Sequence, residues 1–292
     1  MPVSSDPIHV GSAEGVLYIV ATPIGNLDDL SPRVMETFRK VDVVAAEDTR
    51  HSGRLLQHLG IQKAMVAIHD HNERDRTSAV IDRLLAGAQV ALISDAGTPL
   101  ISDPGYVLVR EARQRGIRVS PVPGPCALVA ALSAAGLPTD RFRFEGFLPT
   151  KRAARRSALE ALVREPATLV FYESPHRILE TAALLAEVMG ADRPVVLARE
   201  LTKAFETFYS GTAEEVARLL EADPYASKGE FVVMVQGAPE RPAEAPDLDV
   251  DRFLTLLLAE LPVKKVVRLG AELTGISRND LYQRALALKD QP

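Results

Sequence analysis

The chain has 292 residues, 47% of them apolar and 25% charged, values typical of a soluble globular protein of about two domains. A net charge of −5 excludes a generally basic surface of the kind that binds nucleic acid without specificity. No apolar run reaches the roughly 18 residues of a membrane span, and residues 1–15 lack the pattern of a secretory signal. We therefore expect a cytoplasmic protein with a short disordered tail, 1–15.

Strand and helix patterns alternate through the first half of the chain. Ser31 and Pro32 predict the N-cap and the first residue of the first helix. Apolar runs joined by crossover helices are typical of a parallel sheet covered on both faces, which predicts an α/β fold. The predicted strands of this half are 16–23, 41–47, 65–69, 89–97 and 117–124.

A second α/β series follows a break near 121–125, so we predict domains over 16–121 and 122–238. Some of its connections are short, which favours more antiparallel pairing. Residues 239–249, rich in proline and acidic residues, predict a linker. The rest, 250–292, predicts a small helical extension with the spacing of a helix-turn-helix, in which Gly275 ends one helix and Ser277 begins the next. The predicted strands of the second half are 141–149, 168–175, 193–201 and 229–237.

Polar clusters follow the first three predicted strands, and ligands of α/β proteins bind at the carboxyl ends of strands. The three clusters are TPIGNLDDLS (22–31), AAEDTRHS (45–52) and HDHNE (69–73). The first has neither the three glycines of a dinucleotide fingerprint nor the Gly-Lys-Ser/Thr of a P-loop. Each alone is compatible with a turn or an ion-pair cluster. Together they indicate a site at this edge of the sheet.

The segment SDAGTPLISDPG (94–105) predicts a ligand-binding loop. Two glycines and two prolines fix an irregular backbone path, and polar side chains such as Asp95 and Thr98 add hydrogen-bonding groups. PVPGPCALVAALSAAGLP (121–138) has a stiff loop followed by a helix of small residues, which lets a ligand approach the backbone closely. Its cysteine, Cys126, is the only one in the chain; we interpret it as a packing residue. One cysteine and six scattered histidines predict neither a disulfide nor a metal site.

Two further sets of polar residues have open interpretations. The strand ends FYESPHR and ARELTKAFE contain Tyr172, Glu173, His176, Arg199, Glu200, Lys203 and Glu206, which either face a cleft between the halves or form inter-domain ion pairs. Lys151, Arg152, Arg155 and Arg156 form either an RNA-binding patch, together with the tail 264–289, or a solvated helix face.

In order and spacing, these motifs resemble those of the ribosomal RNA small subunit methyltransferase I family, within the tetrapyrrole methylase superfamily. The matching motifs are TPIGNLDDLSPR, AAEDTR, HDHNE, SDAGTPLISDPG, PGPCAL, FYESPHR, ARELTK and KGEFV. The resemblance covers about 15–238 and continues into the helical extension. It implies two α/β domains with S-adenosylmethionine in the cleft between them, and a homodimer. It further implies methylation of the 2′-hydroxyl of a cytidine ribose in the decoding region of 16S ribosomal RNA, free or in the small ribosomal subunit.

The resemblance also implies the residues of the donor site. They are Pro23, Ile24, Gly25, Asp95, Gly97, Thr98, Pro99, Ile101, Ser102, Asp103, Gly124, Ala127, Leu128, Tyr172 and Ala198. Methyl transfer is an in-line displacement that needs alignment and the removal of one proton, without a metal. From their strand-end positions we expect Glu47 or Asp48 to be the base, and Arg50 or Lys203 to stabilise the developing alkoxide.

Two alternatives remain at this point. A tetrapyrrole methyltransferase of the precorrin or sirohaem type would use the same scaffold, although the helical extension and the HDHNE and AAEDTR motifs disfavour it. An inactive relative would bind a nucleotide or the ribosome without chemistry.

Overall fold

The computed structural model describes residues 14–69, 73–239 and 250–289. The predicted tail up to residue 13, residues 70–72 of the third polar cluster, the linker from 240 to 249 and the last three residues lie outside this range. Contacts divide the chain into two compact units, Met1–Ala238 and Pro239–Pro292. The first unit contains two five-stranded sheets.

The first sheet is entirely parallel, as predicted, with the strand order β3-β2-β4-β1-β5. Its strands are β1 (Val16–Val20), β2 (Val43–Ala46), β3 (Ala64–Ala67), β4 (Gln89–Ile93) and β5 (Arg118–Val122). Its helices are α1 (Pro32–Lys40), α2 (Thr49–His58), α3 (Glu73–Leu85) and α4 (Tyr106–Gln114). Ser31 caps α1 by accepting a hydrogen bond from the backbone N–H of Val34, which confirms the predicted start. Strand β2 shows why the apolar runs are continuous: Val43 and Ala45 pack into the core of one face, and Val44 and Ala46 into that of the other.

The second sheet has the order β6-β7-β10-β8-β9, and every pair except β6 with β7 is antiparallel, which confirms the predicted change of pairing. Its strands are β6 (Phe142–Phe147), β7 (Thr168–Glu173), β8 (Pro194–Arg199), β9 (Thr207–Thr212) and β10 (Phe231–Val235). The helices of this part are α5 (Ala127–Ala134), α6 (Arg152–Leu162), α7 (Ile178–Met189) and α8 (Ala213–Ala222). The sequence analysis missed β9, an edge strand whose end is polar and contains Gly211.

The second unit consists of α9 (Val250–Leu258), α10 (Val263–Thr274) and α11 (Arg278–Lys289). Gly275 ends α10 with a φ of +69°, and Ser277 accepts a hydrogen bond from the backbone N–H of Asp280, as predicted. The unit has its own core of Leu254, Val266, Val267, Leu281 and Ala285. In the part of the chain that the structure describes, no helix is long and apolar enough to cross a membrane.

One of the four residues of the predicted basic patch at 151–156, Arg155, does not belong to it, because its side chain is buried. Arg155 is 1% exposed and donates hydrogen bonds to Thr181 and to the carboxylate of Glu180, at 2.8 and 3.0 Å. Its position explains the burial, since Arg155 shares one face of α6 with the buried Leu159 and Leu162. Counting charges missed this helical spacing.

The neighbouring arginines of α6 also form ion pairs with glutamates. Arg152 pairs with Glu180 and Glu187 at 3.9 and 3.8 Å, and Arg156 pairs with Glu187 and Glu160. The face is therefore a network of mixed charge, which has little net attraction for a polyanion.

Candidate functional site

A cleft of about 480 Å³ is lined by segments that follow strands of the first sheet and by strand residues of the second sheet. This volume lies in the range of roughly 300–1,000 Å³ that is usual for small-molecule sites. Ten residues of the predicted donor site line it: Ile24, Asp95, Gly97, Thr98, Ile101, Ser102, Asp103, Ala127, Tyr172 and Ala198. The other five, Pro23, Gly25, Pro99, Gly124 and Leu128, lie outside this lining.

The loop 94–105 is held on two sides. Thr22, just after β1, and Gly97 exchange two backbone hydrogen bonds of 2.9 and 3.1 Å. The hydroxyl of Thr98 donates to the carbonyl of Pro125 at 2.9 Å. The loop is therefore tied both to the end of β1 and to the segment that leads into α5.

The backbone of this loop is strained. Leu100 and Ser102 have φ values of +72° and +69°, in a region that residues with side chains rarely adopt. Gly97 has a φ of +82°, and a Cβ atom there would lie 3.3 Å from Cγ2 of Ile24. Such conformations persist only where the surroundings impose them, and they concentrate at binding sites.

Tyr172, at the end of β7, closes the opposite side of the cleft. Its hydroxyl accepts a hydrogen bond of 3.2 Å from the backbone N–H of Leu128, and its ring meets that of Phe144 edge-on at 4.9 Å. Burial raises the pKa of the phenol, so that the hydroxyl stays neutral.

Five of the seven ionisable side chains that line the cleft are carboxylates. They are Glu47, Asp95, Asp103, Glu173 and Glu230, beside the phenol of Tyr172 and the thiol of Cys126. Among the described residues that line it there is no lysine or arginine. Two of these carboxylates are paired with cations outside the lining, Glu173 with Arg177 and Glu230 with Lys203 at 3.0 Å.

One of the four predicted catalytic residues, Glu47, lines the cleft. Its neighbour Asp48 caps α2 by accepting a hydrogen bond of 2.8 Å from the backbone N–H of Arg50. The guanidinium of Arg50 also pairs with this carboxylate at 3.1 Å and is 88% exposed. The hydrogen bonds from Arg50 lower the pKa of Asp48 to about 2.

The fourth, Lys203, connects the two halves of the first unit without lining the cleft. Its ammonium donates to Glu200 at 2.7 Å and to Glu230 at 3.0 Å. Its stem lies against the backbone of Gly25, where an added Cβ would be 2.4 Å from Cγ of Lys203. Gly25 therefore serves this close approach.

The remaining polar residues of the second half form local contacts. Arg199 pairs with Asp223 at 2.9 Å, and Glu206 accepts from the backbone N–H of Thr202 at 2.7 Å. His176 is exposed, whereas the buried Glu173 lines the cleft. Of these contacts, that of Lys203 with Gly25 joins the two halves; the pairs of Arg199 and Glu206 lie within the second.

Sequence reasoning missed Phe147 and Glu230 as lining residues. Phe147 lies in the segment predicted as a regular strand, and Glu230 lies in the KGEFV motif just before β10. Gly146, after two phenylalanines at alternate positions, was the available indication that the strand is irregular. No group of three or more His, Cys, Asp or Glu side chains that could hold a metal occurs within 14–69, 73–239 or 250–289.

Two family models cover most of the chain. The model described as Tetrapyrrole (Corrin/Porphyrin) Methylases matches residues 16–217, and that of the RsmI C-terminal HTH domain matches 244–289. The structure of uroporphyrin-III-C-methyltransferase from Thermus thermophilus aligns with a TM-score of 0.53 at 24% identity, over 76% of this chain and 94% of that one. The methyltransferase CobJ aligns with a TM-score of 0.56 at 19% identity, over 78% and 96%. The fold and cleft thus define the class, an α/β protein with the tetrapyrrole methylase fold.

Curated relatives narrow this class. The ribosomal RNA small subunit methyltransferase I of Pseudomonas aeruginosa is 58% identical over 93% of this chain and 97% of its own length. Those of Escherichia coli O157:H7 and Haemophilus influenzae are 52% and 51% identical, each over 94% of this chain and over 96% and 97% of their own lengths. The chain belongs to the ribosomal RNA small subunit methyltransferase I family, which confirms the resemblance and the fold class predicted from the sequence.

Proposed function

We propose that the protein transfers a methyl group from S-adenosylmethionine to the 2′-hydroxyl of a cytidine ribose in the decoding region of 16S ribosomal RNA. The observation that carries the proposal is the cleft between the two sheets, built around the strained loop 94–105 and lined by carboxylates. The names of the relatives support the substrate class, and the family resemblance supports the ribose hydroxyl. The same names disfavour the alternative substrate, a tetrapyrrole.

The cleft, of about 480 Å³, fits the proposed donor in size. Three of its lining residues, Gly97, Ala127 and Ala198, have small side chains that take little of its volume. S-adenosylmethionine, when bound, supplies an electrophilic methyl group on a positively charged sulfur. The ten lining residues of the predicted donor site would hold it, together with Cys126, which follows the loop at the start of α5.

Glu47 is the best placed of the predicted bases, because it lies after β2 and lines the cleft. It accepts the proton of the ribose hydroxyl as the oxygen–carbon bond forms and the carbon–sulfur bond breaks. Most of the rate enhancement then comes from alignment of the two reactants, which holding them in one cleft provides. Asp48 is less suited, since the hydrogen bonds of Arg50 hold its carboxylate at the start of α2.

We also propose that the protein works as a homodimer in the cytoplasm, as the family resemblance implies. Light scattering on the purified protein would test the dimer, and a monomer at working concentration would contradict it.

The decisive experiment offers the purified protein labelled S-adenosylmethionine with naked 16S RNA or small subunits from cells that lack the enzyme. We expect 2′-O-methylcytidine by nucleoside mass spectrometry, and the two substrates show which form is used. Transfer to a base, or to a tetrapyrrole instead, would overturn the proposal. Donor binding in calorimetry without any transfer would favour the inactive relative.

Matched variants test the base. Glu47→Gln should lower kcat by about 100-fold or more, with the Kd of the donor little changed. Glu36→Gln, on the exposed side of α1, is the control and should keep full activity. Normal turnover of Glu47→Gln would exclude Glu47 as the base.

A further inference from the structure

Strand β6 contains an irregularity that redirects one side chain. Phe144 pairs with Val170, but the next paired residue is Gly146, opposite Phe171, so Glu145 is an extra residue in the strand. In a regular strand, side chains three positions apart point to opposite faces. Here the bulge reverses this relationship, and Phe147 comes to the same side as Phe144.

The rings confirm this placement. The rings of Phe144 and Phe147 both meet the ring of Tyr172 edge-on; their centroids lie 4.9 and 5.7 Å from that of Tyr172. Phe144 is partly buried, whereas Phe147 is 58% exposed and lines the cleft. The bulge therefore places an exposed aromatic ring in the wall of the proposed active site.

The chain that follows Phe147 is fixed by two arginines. Arg177 donates to the carbonyl of Leu148 at 3.1 Å, and Arg155 donates to the carbonyl of Thr150 at 3.2 Å. Both contacts hold backbone just beyond β6. The ring of Phe147 thus has a rigid support, which reduces the entropy lost when a ligand stacks on it.

Both arginines converge on the buried carboxylate of Glu173. Arg177 pairs with it directly, and Arg155 reaches it through Thr181, which donates to Glu173 at 2.8 Å. The backbone N–H of Ser174 donates to the same carboxylate at 2.7 Å. A buried charge with this many partners is held in one geometry.

We infer that Phe147 is a stacking platform for the base of the nucleotide whose ribose receives the methyl group, an inference that rests on the proposed function. Proteins recognise single-stranded RNA by stacking unpaired bases on aromatic rings. Gly146 lies against the loop 94–105, since an added Cβ at Gly146 would be 3.2 Å from Oγ of Ser102. A base on Phe147 therefore brings its ribose next to that loop. The exposed position of the ring suits a ligand that arrives from solvent, whereas Gly97 and Ala198 at the donor site are buried.

The test compares Phe147→Ala and Phe147→Trp with Phe142→Ala, which removes a 47% exposed ring from the same strand outside the cleft lining. With small subunits as substrate, Phe147→Ala should raise KM between about fivefold and 100-fold. Phe147→Trp should stay close to the wild type, because it keeps an aromatic face, and Phe142→Ala should match the wild type. The Kd of S-adenosylhomocysteine, measured by calorimetry, should change less than about twofold in all three.

An unchanged KM for Phe147→Ala would overturn the inference, as would an equal loss of affinity for S-adenosylhomocysteine, which would place the ring at the donor. Thermal unfolding checks each variant, and Phe147→Leu, which keeps an apolar side chain without a ring, replaces Phe147→Ala if that variant does not fold. Wild-type protein that methylates no RNA would overturn the proposed function and this inference together. An active enzyme insensitive to Phe147→Ala would overturn the inference alone.

Discussion

The hydroxyl of Tyr172 accepts a hydrogen bond from the backbone N–H of Leu128 at 3.2 Å, so a strand of the second sheet satisfies the first turn of α5. The first N–H groups of a helix have no partner within the helix, and Cys126, at the N-cap of α5, makes no side-chain capping bond. Tyr172 takes the place of that cap from β7, a strand of the second sheet on which α5 packs.

Tyr172→Phe should therefore affect both stability and the cleft. It leaves the N–H of Leu128 without this partner, and we expect the free energy of unfolding to fall by about 1 kcal/mol. The Kd of S-adenosylmethionine should rise as well, because Cys126 and Ala127, at the start of α5, line the cleft. Denaturant unfolding and calorimetry measure the two effects. Tyr209→Phe, which removes a phenol bonded to Arg199 and Asp223, is the control and should lower stability alone. Unchanged donor affinity in Tyr172→Phe would contradict this account.

The Asp48 cap should make stability depend on acid pH. Its pKa of about 2 lies below the ordinary value of 3.8, because Arg50 donates hydrogen bonds to the charged form. The stabilisation is thus complete above about pH 4 and disappears as the pH falls through about 2. We expect Asp48→Ala to lower the unfolding midpoint at pH 6, and its difference from the wild type to become much smaller as the pH falls to about 2. Asp48→Asn, which can still cap the helix, should lose less at pH 6. A pH-independent difference between wild type and Asp48→Ala would argue against the cap.

Arg155 should behave as a core residue. Arg155→Met leaves Glu180 and Thr181 without their buried partner and should lower the free energy of unfolding by about 3 kcal/mol. Arg152→Met, at a side chain that is 64% exposed, should cost less than about 1 kcal/mol. Urea unfolding of both variants makes the comparison. If Arg155→Met were as stable as Arg152→Met, the buried network would not have the importance assigned to it.

Two glycine substitutions should act on different properties: Gly25→Ala should lower turnover, and Gly53→Ala should raise stability. Gly25→Ala forces Lys203 away from Glu200 and Glu230. We expect turnover to fall by about tenfold, because the segment after β1, whose Ile24 lines the cleft, is displaced. Gly53→Ala, inside α2 with no atom nearer than 3.9 Å to the new methyl group, should stabilise the protein by about 0.5–1 kcal/mol. Activity assays test Gly25→Ala, and full activity would count against the role of the Lys203 contact. Unfolding curves test Gly53→Ala, and unchanged or lower stability would contradict its prediction.

Features that depend on local chemistry were predictable from the sequence. Ser31 and Pro32 fix the start of α1, and Gly275 and Ser277 fix the turn between α10 and α11, because each interaction spans a few residues. The continuous apolar runs identified the parallel sheet for the same kind of reason, since both faces of β2 are buried.

Features that depend on distant partners were not predictable. The pairing that makes β9 a strand involves β8, and the burial of Arg155 depends on its partners on α7, Glu180 and Thr181. Within the site, six of the seven residues predicted in the loop 94–105 line the cleft, and Pro99 does not. Gly124 was predicted to bind the donor, but the sequence does not distinguish a ligand-binding glycine from one needed for packing. An added Cβ at Gly124 would lie 2.9 Å from Cβ of Ala21, so this glycine permits two backbone segments to approach.

The bulge at Glu145 has a second consequence, because β6 is an edge strand of its sheet. An edge of regular strand offers unpaired N–H and C=O groups on which another chain can extend the sheet, and this leads to aggregation. A bulge interrupts that row of groups and twists the strand. The bulge that turns Phe147 toward the cleft therefore also protects the exposed edge of the second sheet from pairing with another chain. A regular β6 would make aggregation easier and would also turn Phe147 away from the cleft.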